Sequence, residues 1–155
     1  MPRRHHVSPR ADLAVIRSIE HQIAGIKPRG LWYEVDGDWR RWCRDDGQTS
    51  WINGHYLYAL ALDPAVRLLR VCTGKALDDL TTRYAKDRWV IDWPAIAAEY
   101  DGIEIAPYQW SRRLSPGTSW YYGWDCASGC VWTPRDSSLS LVGPADAPKS
   151  GPAHA

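Results

Sequence analysis

Phenylalanine is absent from this chain of 155 residues and methionine occurs once, so bulky core filling must come from branched aliphatics, eight tyrosines and ten tryptophans. No apolar run approaches the roughly 18 residues that a membrane-crossing helix needs. Met1-Pro2-Arg3-Arg4 leads into His5-His6 rather than an apolar stretch, which does not fit a secretory leader. The expectation is a cytoplasmic chain with no membrane partner. Neither charge sign dominates: the net charge is +1 with acids and bases interspersed, which argues against a protein that coats duplex nucleic acid. No Gly-rich phosphate fingerprint follows the first strand, so a Rossmann or P-loop reading has little support. Of Cys43, Cys72, Cys126 and Cys130, only the last two are close, and no second pair or nearby His completes a zinc set. The cysteines read as small buried residues, and no metal is expected.

What is present fits about one domain, long enough to bury most of its apolar surface. Ser8-Pro9 reads as a helix start, with Ser as cap and Pro at the first helical position. Leu13, Ile16, Ile19 and Ile23 recur at three- and four-residue spacing, predicting an amphipathic helix of about four turns. A strand over 31–35, a turn at Asp36-Gly37-Asp38 and a short helix over 39–43 capped by Asp38 come next. Strands over 56–62 and 66–71 flank Asp63-Pro64. Thr73 caps a helix over 76–84, and Asp92 caps another with Pro94 early in it. A strand enters through Asp101-Gly102, and Trp120-Tyr121-Tyr122 and Cys130-Val131-Trp132 complete the sheet. From Gly143 onward Gly, Pro, Ala, Ser and Lys dominate, so 143–155 reads as a disordered tail behind a single domain over 1–142. This mixed order argues for α+β rather than a wound parallel sheet.

Three short segments carry chemistry. Arg4-His5-His6-Val7-Ser8, Leu31-Trp32-Tyr33-Glu34-Val35-Asp36 and Asp101-Gly102-Ile103-Glu104-Ile105 each read as a strand bearing one functional side chain: an imidazole, a hydroxylated ring and a carboxylate. Together they suit NAD, which offers ribose hydroxyls for an imidazole and a cationic ring for an aromatic face. When its glycosidic bond breaks, the ribose gains positive charge that a fixed carboxylate stabilises. Arg4 or Arg10 can meet the pyrophosphate.

These segments, with Lys27-Pro28 and Trp110, resemble the diphtheria-toxin-like and poly(ADP-ribose)-polymerase-like ADP-ribosyltransferases over about residues 4–110. The resemblance implies an α+β fold with a split, mostly antiparallel sheet and an NAD cleft between its halves. It places His6, Tyr33 and Glu104 as a His-Tyr-Glu triad, with Glu104 catalytic and His6, Tyr33, Arg4 and Ser8 on NAD. It implies transfer of ADP-ribose to a protein or nucleic-acid acceptor with release of nicotinamide, in a toxin or a regulator. Hydrolysis of NAD by water is the close enzymatic alternative. Val7 stands where the family usually has Gly, Glu34-Val35 where it has Ser-Thr, and Gly102 where arginine-modifying relatives carry Glu or Gln, which weakens the case for an arginine acceptor. The segments 101–108 and 120–126 also resemble those of a bacterial and phage group.

Each residue has a plainer role open to it. His6 fits a terminal surface residue, and a one-residue slip in register would put His5 in its place. Tyr33 fits a packed strand aromatic. Glu104, between Ile103 and Ile105, fits a solvated strand face. The tryptophans, among them Trp39, Trp42, Trp120, Trp124 and Trp132, fit a core; exposed, they would stack on sugars or unpaired bases and make a binding module without catalysis.

Overall fold

The computed structural model describes residues 1–147. Seven strands form one sheet in the order β4-β5-β6-β2-β1-β3-β7. They are β1 (Arg4–Ser8), β2 (Leu31–Val35), β3 (Tyr56–Ala61), β4 (Leu68–Val71), β5 (Gly102–Ile105), β6 (Ser128–Val131) and β7 (Ser138–Pro144). Only β4 and β5 run parallel, so the fold is α+β with a mostly antiparallel sheet, as expected. The sheet is continuous where two halves were expected. Its thinnest junction is β1 with β2, which pair only at Arg4–Val35 and His5–Glu34.

Among the described residues three α-helices accompany the sheet: α1 (Asp38–Asp45), α2 (Gly74–Tyr84) and α3 (Trp93–Ala97). Thr73 and Asp92 cap α2 and α3 as their sequence positions predict, accepting from the Ala76 and Ala95 amides at 3.0 and 3.1 Å. Asp38 does not cap α1. Gly37, left-handed at φ 78°, holds that place, and Asp38 instead accepts from the Ala127 amide at 2.7 Å and from Arg41 at 2.6 Å.

The helix expected after Ser8-Pro9 does not form. Ile16 packs against the cluster around Tyr33 and Val35, whereas Ile19 packs with the larger cluster of Trp93, Trp120 and Trp132, so the apolar residues serve two separate cores. One helical stripe would need them on a single core. The Ile19 amide donates to the Trp132 carbonyl at 2.8 Å, and the Gln22 side chain bridges the Arg29 amide and carbonyl at 2.9 and 2.6 Å. These three bonds hold the segment irregular. Ser8 ends β1, and its hydroxyl accepts from the Arg10 amide at 3.1 Å.

The expected strand at Trp120-Tyr121-Tyr122 is a 3₁₀ segment, Pro116–Gly123. Trp120 and Tyr121 are consecutive and both fully buried, which strict strand alternation across one core would not allow. Trp93, Trp120, Trp124 and Trp132 fill the space that Phe would otherwise take. Trp39 and Trp42 are half-buried on α1, and Trp51, Trp89 and Trp110 are exposed. Of the tail expected from Gly143, Gly143 and Pro144 belong to β7 and Ala145 is buried; the part from 148 lies outside the described residues. No helix among the described residues is long and apolar enough to cross a membrane.

Candidate functional site

Strand register decides which side chains meet. Tyr33 on β2 pairs with Gly129 on β6, and Gly129 pairs in turn with Glu104 on β5, so all three point to one face of the sheet. Gly129 lacks a side chain, and a β-carbon there would overlap the Tyr33 ring and hydroxyl. The phenol therefore lies across β6 and donates to Glu104 Oε2 at 3.0 Å. From β1, Arg4 reaches the same carboxylate through Nε at 2.5 Å and Nη2 at 3.1 Å. The pair is nearly dry, with side-chain exposures of 12% for Arg4 and 6% for Glu104.

This environment sets protonation. Burial first, then the charge of Glu104 and the bond to it, push the Tyr33 phenol well above its usual pKa, so it stays a donor. Burial works to lower Arg4, but the hydrogen bonds and charge of Glu104 outweigh it and leave its pKa raised. A fixed carboxylate results, held by two donors on strands far apart in sequence. Glu104 also floors an open groove of about 540 Å³ bordered by Pro2, Arg70, Cys72, Tyr108 and Trp110. Arg70 is the register partner of Glu104 on β4, is exposed, and makes no ion pair among the described residues.

The other expected residues fall elsewhere. His6 and Tyr33 border a second opening, a cavity of about 300 Å³, which Glu104 does not line. His6 holds the Trp32 carbonyl through Nδ1 at 2.6 Å where β1 and β2 diverge. A carbonyl only accepts, so Nδ1 carries the proton; burial, opposed by this bond, lowers the His6 pKa and leaves Nε2 an acceptor. Ser8 turns into the β1 exit, and Arg10 pairs with Asp12 at the exposed surface at 3.1 Å. Tyr33, only 3% exposed, presents no free face for stacking.

Two buried carboxylates that the sequence did not single out hold the frame. Glu34 accepts from the Arg40 amide at 2.9 Å and from Arg40 Nε at 2.6 Å, tying β2 to α1. Asp101 accepts from the Arg67 amide at 2.9 Å, from Arg67 Nη2 at 3.1 Å and from Arg135 Nε at 2.9 Å, which fixes the start of β5 three residues before Glu104. The partners of Asp101 are 34 residues away in either direction, and Arg40, six residues from Glu34, lies on the next element beyond a turn, so no helix or strand spacing marks either pair. No protein-family model, curated protein or solved structure matches the chain.

Proposed function

We propose that this chain is an NAD-dependent mono-ADP-ribosyltransferase. The supporting observation is the meeting of Arg4, Tyr33 and Glu104, from three strands, on one fixed carboxylate that floors an open groove. Two side chains of the groove suit NAD, while His6 and the Tyr33 ring lie outside it. Glu104 supplies negative charge, and Arg70, at its side without an ion partner, suits a pyrophosphate.

In this reading Glu104 stabilises the positive charge that develops on the ribose as its bond to nicotinamide breaks. The electron pair of that bond leaves with nicotinamide. A nucleophile on the acceptor then bonds to the same carbon and gives up its proton to solvent or to Glu104. Tyr33 and Arg4 keep the carboxylate in place, so no reorganisation is needed when charge appears. Water as nucleophile gives NAD hydrolysis through the same residues. Exposed Trp51 and Trp110, at 51% and 68%, favour a second reading, a binding module without catalysis.

The test is nicotinamide release from NAD with and without a cell lysate as acceptor source. Glu104→Gln keeps size and removes charge, so release should fall about a hundredfold while NAD affinity stays nearly unchanged. Release only with lysate indicates a transferase, and equal release without it indicates a hydrolase. No release by the native protein rejects both and leaves the module.

A further inference from the structure

Four tryptophans are fully buried: Trp93, Trp120, Trp124 and Trp132. Three have a partner for the indole N–H. Trp93 donates to the Gly25 carbonyl at 3.0 Å, Trp120 to Thr81 Oγ1 at 3.0 Å and Trp132 to the Tyr100 carbonyl at 2.8 Å. Trp124, 1% exposed, has none among the described residues. One other buried side-chain polar atom shares this condition, His5 Nδ1. Both residues border the same cavity of about 300 Å³; Glu34 Oε1 stands 3.9 Å from His5 Nδ1, beyond hydrogen-bond reach, and His5 also borders a second opening beside Arg40. Buried polar groups are almost always paired, so two unmet ones on one cavity mark a place where something polar sits.

The cavity walls describe the guest. The indoles of Trp32, Trp39 and Trp124 border it, with Trp32 and Trp124 edge-to-face at 4.9 Å, and aromatic walls favour a planar ring. The indole N–H of Trp124 can only donate, which calls for an acceptor on the guest. Burial first, then the charge of Arg40, lower the His5 pKa, so this ring is neutral and offers one acceptor and one donor. Lys27 lies against the Trp32 ring at 5.3 Å and makes no ion pair within 4 Å among the described residues, although its charge acts on Asp125 of the same wall. Asp125, the carboxylate on this wall, faces Arg113 at 3.7 Å. Strand alternation puts His5, Val7 and Trp32 on the sheet face opposite Glu104, and although His6 and Tyr33 also border the cavity, it shares no lining residue with the groove over the carboxylate.

We propose that this cavity is a nucleobase site, taking an uncharged planar heterocycle whose edge meets Trp124 Nε1 and His5 Nδ1, with Lys27 placed for an attached phosphate. The base can belong to a free nucleoside or nucleotide, or to one unstacked from a single strand. The proposal goes beyond the NAD reading and does not depend on it.

The experiment is a titration of intrinsic tryptophan fluorescence, without NAD, using adenosine, uridine, their monophosphates, a mixed-sequence single strand of roughly 12 nucleotides, its duplex, and toluene as a ring without a polar edge. A saturable response to nucleosides or to the single strand is expected. Trp124→Phe and His5→Phe keep a ring and remove the nitrogens, and each should weaken binding about tenfold. Lys27→Ala should remove only the advantage of monophosphate over nucleoside. Nucleosides binding as tightly as the strand identify a free-nucleotide site, and a strand that binds at least tenfold more tightly, with the duplex excluded, identifies an unpaired base. The proposal is overturned if neither nucleosides nor strands bind, if toluene binds as tightly as adenosine, or if both Phe variants, shown folded by thermal melts, bind as the native protein does. Nicotinamide release is measured in parallel. Base binding without turnover rejects only the transferase, and turnover without base binding rejects only this site.

Discussion

At the scale of residues, Glu104 was legible because a charge between Ile103 and Ile105 has to face away from them, and it does. Its partner was not. An ion pair between positions 4 and 104 leaves no local signature, and Arg4, expected to meet NAD, instead binds the carboxylate. Tyr33 was expected to offer its ring and offers its hydroxyl, because Gly129 lets the ring lie flat across β6. The Arg4–Glu104 pair is dry enough for its halves to depend on each other. Arg4→Met should cost about 3 kcal/mol of stability by stranding a buried charge, and adding Glu104→Gln should restore part of that loss. Urea melts of the two single variants and the double variant measure the coupling. Costs that simply add would show that the pair is too well hydrated to matter.

At the scale of elements, caps were readable and periodicity was not always so. Thr73 and Asp92 act on amides three residues away, a range that sequence alone specifies. The stripe Leu13, Ile16, Ile19, Ile23 has helical spacing, yet its members part company: Ile19 joins the main core, while Ile23 is 62% exposed. Ile19→Ala should therefore cost about 2 kcal/mol, and Ile23→Ala, at the exposed end of the same stripe, should change stability by less than about 0.5 kcal/mol. Chemical denaturation of the two variants reads the contrast, and equal costs would contradict the irregular path of this segment. Asp101 joins elements rather than residues, since it binds Arg67 before β4 and Arg135 after β6. Burial raises its pKa, but the bonds from Arg135 and Arg67 outweigh that and hold it below the usual carboxylate value. A carboxyl depressed on folding stabilises above its unfolded pKa of about 3.9 and loses that contribution as pH falls through the folded value. Asp101→Asn should therefore cost about 2 kcal/mol at pH 7, and the gap from the native protein should narrow below about pH 4. Melts at the two pH values check the sign. A gap that widens in acid would refute it.

At the scale of the whole molecule, the α+β class and the antiparallel bias followed from the order of strand and helix signals. Sheet order did not. β6 enters between β5 and β2 although almost a hundred residues separate it from β2, and a pairing of that range is a property of packing rather than of any local pattern. The same order explains why Arg4 meets Glu104 across so much chain. Four strands, β4, β5, β6 and β2, form one raft, and β1, β3 and β7 form another. The seam between them is two register pairs wide, with Arg3 and Asp36 bonded at its end. Arg4 belongs to the second raft, while Tyr33 and Glu104 belong to the first, so the guanidinium is a latch across the seam. Any molecule that draws the Glu104 carboxylate away from Arg4 also loosens the bond between the rafts. Amide hydrogen exchange at His5 and Glu34, the pair that faces across the seam, should then be faster in Arg4→Met, with β3–β7 amides unchanged, which would make occupancy of the groove legible as motion along one seam.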